Sequence, residues 1–340
     1  MKHSGLKTVC ALLCALMILS LLPAAGSAAG DKKVLYNGRI SPRYGNSYTV
    51  VYEEMDSESK QLARYFKNKA VKITGVYPYW LEIEYGDGYA YVVRNRVDAS
   101  DPIDMVNTPY CGVEKYDFYT DISRITPVMS APDDYSDVLA LLTPGARIAI
   151  IGFEEGYAKL IYKRQYCYIN TNFLSEVLPV ARTVDQADDV IPLAAFTSFA
   201  TESENRNINL AMCGVYMAQT PMHPGERWNF NNITGPFTLR RGYLEAGILA
   251  DDEATTGMGG GSCQVSGTLY NAVLQLPGIF INHRRAHGNN GAKYLPYGMD
   301  AASATTEQNL ILTNMYDFPV RIETSVHDTC ITILLYKDAN

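Results

Sequence analysis

Hydrophobic residues recur at every second position along much of the first half of the chain. Lys33 to Val97 reads as short strands: Val71-Lys72-Ile73, then Trp80 to Tyr85, then Tyr89 to Val92. A two-residue period predicts half-buried strands, and Gly86-Asp87-Gly88 predicts the hairpin between the last two. Ser57 to Lys67 departs from that period, and its Leu62, Tyr65 and Phe66 predict a short helical insertion. The pattern then recurs. Residues 145–174 align with 68–97 without a gap at an offset of 77, pairing Gly75 with Gly152, Tyr85 with Tyr162, Tyr89 with Tyr166, Tyr91 with Tyr168 and Asn95 with Asn172. Such regularity predicts two copies of one small β-unit.

Beyond the polar, acidic stretch 181–195 the spacing changes. Ile208, Leu210, Ala211, Met212 and Val215 fall at helical intervals within Asn205 to Met217. A second helical run carries Val265, Leu269, Ala272, Val273 and Leu276 and stops at Pro277-Gly278. Ile279–Ile281, Leu310–Leu312, Val320–Ile322 and Cys330–Leu335 read as strands. The fold class expected is therefore multidomain: two small all-β units, then an α+β domain with a buried helix against a mostly antiparallel sheet.

The second helical run follows Gly257-Met258-Gly259-Gly260-Gly261-Ser262-Cys263-Gln264. Glycines permit positive φ and close backbone approach. Cys263 falls in the first turn of the helix, where unpaired N–H groups and the helix dipole lower a thiol pKa. The plainer role for such a residue is a small buried hydrophobe.

Lys2, His3 and Lys7, the apolar run Val9 to Leu22 and the small residues Pro23 to Ala29 together predict a secretory signal over residues 1–29. Without Lys2 and Lys7, the 29 basic residues become 27 against 36 acidic ones. That balance argues against nucleic acid as a partner. An exported protein that meets the membrane only through an uncleaved signal is expected, secreted or wall-associated. Tyrosine is abundant, at 25 residues, which suits β-structure and sugar- or peptide-binding surfaces. Beyond the signal stand Cys111, Cys167, Cys213, Cys263 and Cys330, an odd number that leaves one unpaired whatever the pairing of the rest.

Two resemblances organise these segments. Phe153 to Leu160, Tyr166-Cys167-Tyr168-Ile169 and Ala131 to Val138 resemble the bacterial SH3-like module. This gives a module over 105–180 and a degenerate copy over 30–104, with 181–195 as a linker. Arg206-Asn207-Ile208-Asn209, Pro224-Gly225-Glu226, Phe230-Asn231, Gly235-Pro236, Gly242-Tyr243, Gly257 to Gln264, Thr268 to Ala272, the surroundings of His287 and Gly298-Met299-Asp300-Ala301 resemble the VanW-like domain, over 196–340. That family is named for an accessory protein of glycopeptide-resistance gene clusters. The resemblance implies a cell-envelope role with peptidoglycan or a wall precursor as partner, and it implies no cofactor. Gly267, Gly288 and Asn309 depart from the family pattern.

Cys263, His287 and Asp300, in that order, are the residue types of a thiol nucleophile, its base and the carboxylate that fixes the base. Gly259, Gly260, Gly261, Gln264, Arg284 and Arg285, with Tyr243 as a wall, are alternatively a pocket for an anionic group of a wall precursor. Binding is the first expectation, and acyl transfer or cleavage of peptidoglycan stem peptides is the alternative. His283 and His287 are four apart, but the intervening arginines and the non-helical sequence argue against a metal site.

Overall fold

The computed structural model describes residues 32–42, 46–77, 80–102, 110, 113–199, 203–250, 253–287, 292–296, 299–328 and 330–338. The expected signal, Cys111 and Gly288 lie outside the described residues. The chain is mostly β, and its contacts divide it into two compact units. One is built on Gly38–Asp98 and the other on Leu35–Asn37 and Ala99–Asn340.

In the first, β1 (Tyr36–Ile40), β2 (Tyr48–Tyr52), β3 (Gln61–Phe66), β4 (Ala70–Val76), β5 (Trp80–Tyr85), β6 (Gly88–Val93) and β7 (Val97–Pro102) form one sheet. Its order is β3-β2-β6-β5-β4-β1-β7. Val51, Ile73, Leu81, Ile83, Ala90 and Val92 are its buried face, and Tyr85 pairs with Gly88 across the expected hairpin. The helix expected over 57–67 is instead β3, paired in antiparallel register with β2 from Tyr48 opposite Phe66 to Tyr52 opposite Gln61. Three turns of helix are marginal alone, whereas the edge of β2 satisfies the backbone of this stretch directly.

The repeat is reproduced in its central hairpin and altered around it. In the second unit β8 (Phe118–Asp121), β9 (Thr126–Met129), β10 (Val138–Leu142), β11 (Arg147–Ile150), β12 (Gly152–Glu154), β13 (Tyr157–Tyr162), β14 (Gln165–Asn170) and β15 (Leu178–Pro179) come first. The ends of β13 and β14 fall 77 residues after those of β5 and β6. The single bulged strand β4 is broken here into β11 and β12, which enter different sheets. The sheet orders are β10-β9-β14-β13-β12 and β11-β8-β15. Among the described residues no sheet closes into a barrel.

Among its described residues the remainder carries three α-helices: α1 (Glu204–Ala218), α2 (Phe230–Thr234) and α3 (Ser262–Val273). They accompany β16 (Ala194–Phe199), β17 (Arg227–Asn229), the hairpin β18 (Glu245–Ala250) and β19 (Glu253–Met258), β20 (Ile279–Arg284), β21 (Leu310–Asn314), β22 (Val320–His327) and β23 (Cys330–Lys337). The sheets run β16-β23-β22 and β17-β21-β20, antiparallel throughout. Helix α3 lies on β16 and β23 through Val265, Leu269, Ala272 and Val273, all buried. Helix α1 lies on β22, where Gly214 leaves its backbone against Thr324, whose Cβ is 2.9 Å from where a glycine side chain would begin.

The second β-unit shares this core. Tyr116, Tyr119, Ala149 and Val180 pack in one cluster with α3. Thr197 Oγ1 accepts the Ala149 N–H at 2.8 Å and meets Thr332 Oγ1 at 2.6 Å. The stretch read as a linker joins in: Ala181, Ala187 and Leu193 are buried in the cluster. Its acids turn outward, and Asp188 Oδ1 accepts the N–H groups of Val190 and Ile191. The polarity of 181–195 thus marks one face of a packed segment rather than a solvated tether.

Candidate functional site

Helix α3 begins where the sequence places it. Gly261 precedes it at φ +114°, and Cys263 stands in its first turn. The glycines before it serve packing. A Cβ on Gly259 (φ +74°) would fall 2.6 Å from Phe237, and one on Gly260 would fall 2.5 Å from the Ala246 carbonyl oxygen. The loop is thereby pressed against β18, and the N–H groups of Gly259 and Gly260 go to the carbonyls of Leu244 and Gly257.

Side chains of α3 then pull the 299–303 connection over the helix start. Asn271 Nδ2 donates to the Met299 carbonyl at 2.6 Å, and Ser266 Oγ to that of Ala301 at 2.6 Å. From the other side Arg284 Nε donates to the Asp300 carbonyl at 2.6 Å, and the Ala302 N–H to the Arg285 carbonyl at 2.7 Å. Gly267 belongs to this arrangement. Its Cβ would lie 2.4 Å from Leu295 Cδ1, so the glycine admits Leu295 against the helix backbone.

The result brings Cys263, His287 and Asp300 together. Asp300 is buried, and its Oδ2 accepts from the His287 main-chain N–H at 2.7 Å and from Nδ1 at 2.6 Å. The ring's other nitrogen is left free of Asp300, and the imidazole lies near enough to the Cys263 sulfur for each to shift the other's pKa. Ser303 completes the sulfur's surroundings: its carbonyl accepts from the Cys263 thiol at 3.2 Å, and its N–H lies 3.3 Å and its hydroxyl 3.7 Å from Sγ. His287 and Asp300 sit in connections after β20 rather than on strands.

The electrostatics follow from these contacts. The hydrogen bond to Asp300, and then the interaction with Cys263, raise the His287 pKa to about 9 against the opposing cost of burial. Burial raises the Cys263 pKa, but the His287 imidazole and the Ser303 donors outweigh it and hold the thiol below its ordinary value. For Asp300 burial is likewise opposed and outweighed by the His287 hydrogen bonds, so its carboxyl stays below the ordinary range. Both members of the Cys263–His287 pair are shifted toward thiolate and imidazolium. Cys263 is half-buried, whereas Cys167, Cys213 and Cys330 are buried with their thiol pKa values raised by burial.

The residues read as an anion pocket are dispersed. Arg284 is committed to Asp300 and stacks over the Tyr270 ring at 5.0 Å. Arg285 is exposed. Gln264 is buried, accepting from Arg206 Nε and Nη2 at 3.1 and 3.0 Å and donating to Ser198 Oγ at 3.2 Å. Tyr243 is a core residue, fully buried, with its hydroxyl on the Thr234 carbonyl at 2.7 Å; it cannot reach a ligand. Asn309 is held by amide bonding in both directions, donating to Asn229 Oδ1 at 3.0 Å and accepting from the Asn231 N–H at 3.2 Å. A carboxylate could not donate that first bond. His283 bonds to the Glu307 carbonyl, away from His287. Three neighbours were not legible in sequence as site residues. Ser303 carries no local pattern. Tyr294 feels the Cys263 charge after burial in having its hydroxyl pKa raised. Arg206 lies with its guanidinium 6.0 Å from the Tyr294 ring centroid.

Fold and site together define a mostly β protein with a helix lying on sheet and a cysteine–histidine–carboxylate cluster at the start of that helix. Residues 204–336 match the family model described as VanW like protein, and so form a VanW-like domain. The uncharacterized protein YoaR of Bacillus subtilis (strain 168) is 31% identical over 141 residues, 42% of this chain and 46% of YoaR. The chain thus spans about half the length of the curated relative it matches. Two solved structures, NlpC1 and NlpC2 from Trichomonas vaginalis, align over 92% and 89% of this chain and 97% and 98% of theirs. Their identities are 12% and 10% and their TM-scores 0.19 and 0.18, too low to bear on fold or chemistry.

Proposed function

We propose that the VanW-like domain is a thiol-dependent acyl-transfer or hydrolytic enzyme acting on peptide amides of the cell wall. The observation that carries this reading is the gathering of Cys263, His287 and Asp300, with the His287 ring held by Asp300 at 2.6 Å and the imidazole near enough to lower the thiol pKa. The Cys263 thiolate attacks the carbonyl carbon. The His287 imidazolium gives its proton to the departing amine, leaving an acyl-thioester on the sulfur. Neutral His287 then takes a proton from water or an acceptor amine as that nucleophile attacks the thioester, and the thiolate departs. Asp300 fixes the ring tautomer and stabilises the imidazolium. The Cys263 main-chain N–H, in a first turn that offers it no intrahelical partner, is the candidate oxyanion donor.

A binding pocket without chemistry is less well supported, since Arg284 is spent on Asp300 and Tyr243 is core. The β-units fit as SH3-like modules on the strength of their repeat, and export to the envelope follows from the leader; both are part of the proposal. The test is incubation of the protein and of Cys263→Ala with purified muropeptides, read by mass spectrometry. A product mass formed only by the unsubstituted protein is expected. Muropeptides bound but unchanged by both proteins would replace the enzyme with a binder.

A further inference from the structure

The first β-unit contains a buried carboxylate, paired with a half-exposed lysine, for which the proposed chemistry has no use. Glu82 stands on β5, inside the seven-stranded sheet, and its side chain is 2% exposed. Lys32 Nζ lies 3.0 and 2.8 Å from its two carboxylate oxygens. Thr74 Oγ1 donates to the same carboxylate at 2.8 Å and the Tyr91 hydroxyl at 3.2 Å. The ammonium also lies 4.6 Å from the centroid of the Tyr89 ring. A carboxylate floor with an aromatic wall is what a desolvated primary ammonium requires: its charge is paired, and its N–H groups have acceptors.

The group filling this place comes from outside the sheet. Lys32 precedes β1 in a stretch with neither helix nor strand, its side chain is 49% exposed, and its main-chain N–H rests on the Tyr89 hydroxyl at 3.1 Å. The repeat shows that the fold does not need an acid here. At the same offset Glu82 becomes Lys159, Thr74 becomes Ile151 and Tyr89 becomes Tyr166. Lys159 Nζ lies 4.2 Å over the Tyr166 ring and pairs with Glu154 at 3.4 Å. Both copies therefore hold an ammonium against the same tyrosine. In the second copy the strand supplies it. In the first the strand supplies the acid, and the ammonium arrives from elsewhere. Burying a carboxylate costs desolvation that pairing with a half-exposed ammonium does little more than offset. An acid buried where its repeat partner carries none therefore points to recognition rather than to folding.

We propose that the first β-unit carries a binding site for a primary ammonium group, formed by Glu82, Thr74, Tyr91 and Tyr89, with Lys32 as an internal occupant that an amine-bearing ligand displaces. The ligand class is an unbranched primary amine such as a lysine-like side chain. An external amine competes with an occupant tethered beside the site, so its apparent affinity falls by the fraction of time Lys32 is away.

The test uses the full chain and its Lys32→Ala and Lys32→Gln variants, titrated with N-acetyl-lysine amide and followed by calorimetry and thermal unfolding. Saturable binding at least tenfold tighter in the Lys32 variants than in the unsubstituted chain is expected, with a matching rise in Tm. Adding Glu82→Gln abolishes it, and N-acetyl-norleucine amide, which lacks the amine, gives none. Lys32→Gln keeps a donor over Glu82 and serves where Lys32→Ala does not fold. A folded Lys32 variant that ignores the amine would overturn the site. Equal binding by variant and unsubstituted chain would overturn the role of Lys32.

Discussion

Replacing Asp300 by Asn tests whether the carboxylate sets the charge state of the cysteine–histidine pair. The substitution keeps the shape and removes the charge that the His287 N–H and Nδ1 contact at 2.7 and 2.6 Å. The rise of His287 from an ordinary value near 6.5 to about 9 corresponds to roughly 3–4 kcal/mol, at about 1.4 kcal/mol per pH unit. Asp300 is its largest cause. Asp300→Asn should therefore lower the imidazolium pKa by about one to two pH units, or roughly 1–3 kcal/mol. The thiol, losing part of its cationic partner, should rise toward an ordinary value of about 8.5.

The assay is the rate of Cys263 alkylation by iodoacetamide between pH 4 and 10, read on the Cys263 peptide by mass spectrometry. In the unsubstituted protein the thiol titrates below its ordinary value, so alkylation extends to lower pH than at a free cysteine. In Asp300→Asn the midpoint moves alkaline and the rate at pH 6 drops on the order of tenfold, the equivalent of about 1.4 kcal/mol. Catalysis needs thiolate and imidazolium together. Its rate should fall with acid below the lowered Cys263 pKa and with base above about 9, where His287 loses its proton. Asp300→Asn narrows that bell from both sides. Superposable alkylation profiles for the two proteins, or an unsubstituted thiol titrating at an ordinary value, would refute the reasoning.

Three further outcomes are expected. Under native conditions iodoacetamide should modify Cys263 while leaving Cys167, Cys213 and Cys330 intact, since burial raises the last two to about 12 and Cys167 higher still; peptide mapping reads this. Gly267→Ala gains about 1 kcal/mol of helix propensity but drives a methyl to 2.4 Å from buried Leu295, an overpacking cost of about 1–3 kcal/mol. Denaturant unfolding should show it to be destabilised, and its Cys263 alkylation should slow because the crowded position also faces the main chain of Ala301, next to Asp300. Thr197→Val leaves the buried Ala149 N–H without its acceptor, at about 1–3 kcal/mol. Its Tm should fall by several degrees, whereas a β-unit merely tethered to the C-terminal domain would show no change.

The fold was legible wherever period and punctuation agreed. The repeat predicted β13 and β14 from β5 and β6 because the same alternation of buried positions, Ile83 with Leu160 and Val92 with Ile169, was written twice. Stretches whose structure is decided across the sheet were not legible. Leu62, Tyr65 and Phe66 fit a helix as well as a strand, and only the edge of β2 decided between them. The burial of Ala181, Ala187 and Leu193 was hidden because small residues beside aspartates read as a tether, whereas their packing depends on partners far along the chain.

The candidate site divides along the same line. The place of Cys263 is local: glycines, a first turn and an apolar run suffice to put a sulfur at a helix start. Its environment is not local. His287 and Asp300 were named by residue type and order, but the carboxylate meets the ring only because Asn271, Ser266 and Arg284 grip the carbonyls between Met299 and Ala301. Gly267 shows how far such logic inverts a local rule. By propensity it weakens the helix, yet its missing side chain is the space into which Leu295 settles, with the Ala301 N–H 3.6 Å from where a Cβ would begin. Substitutions here that improve α3 as an isolated helix should therefore weaken its packing against Leu295 and Ala301, beside Asp300.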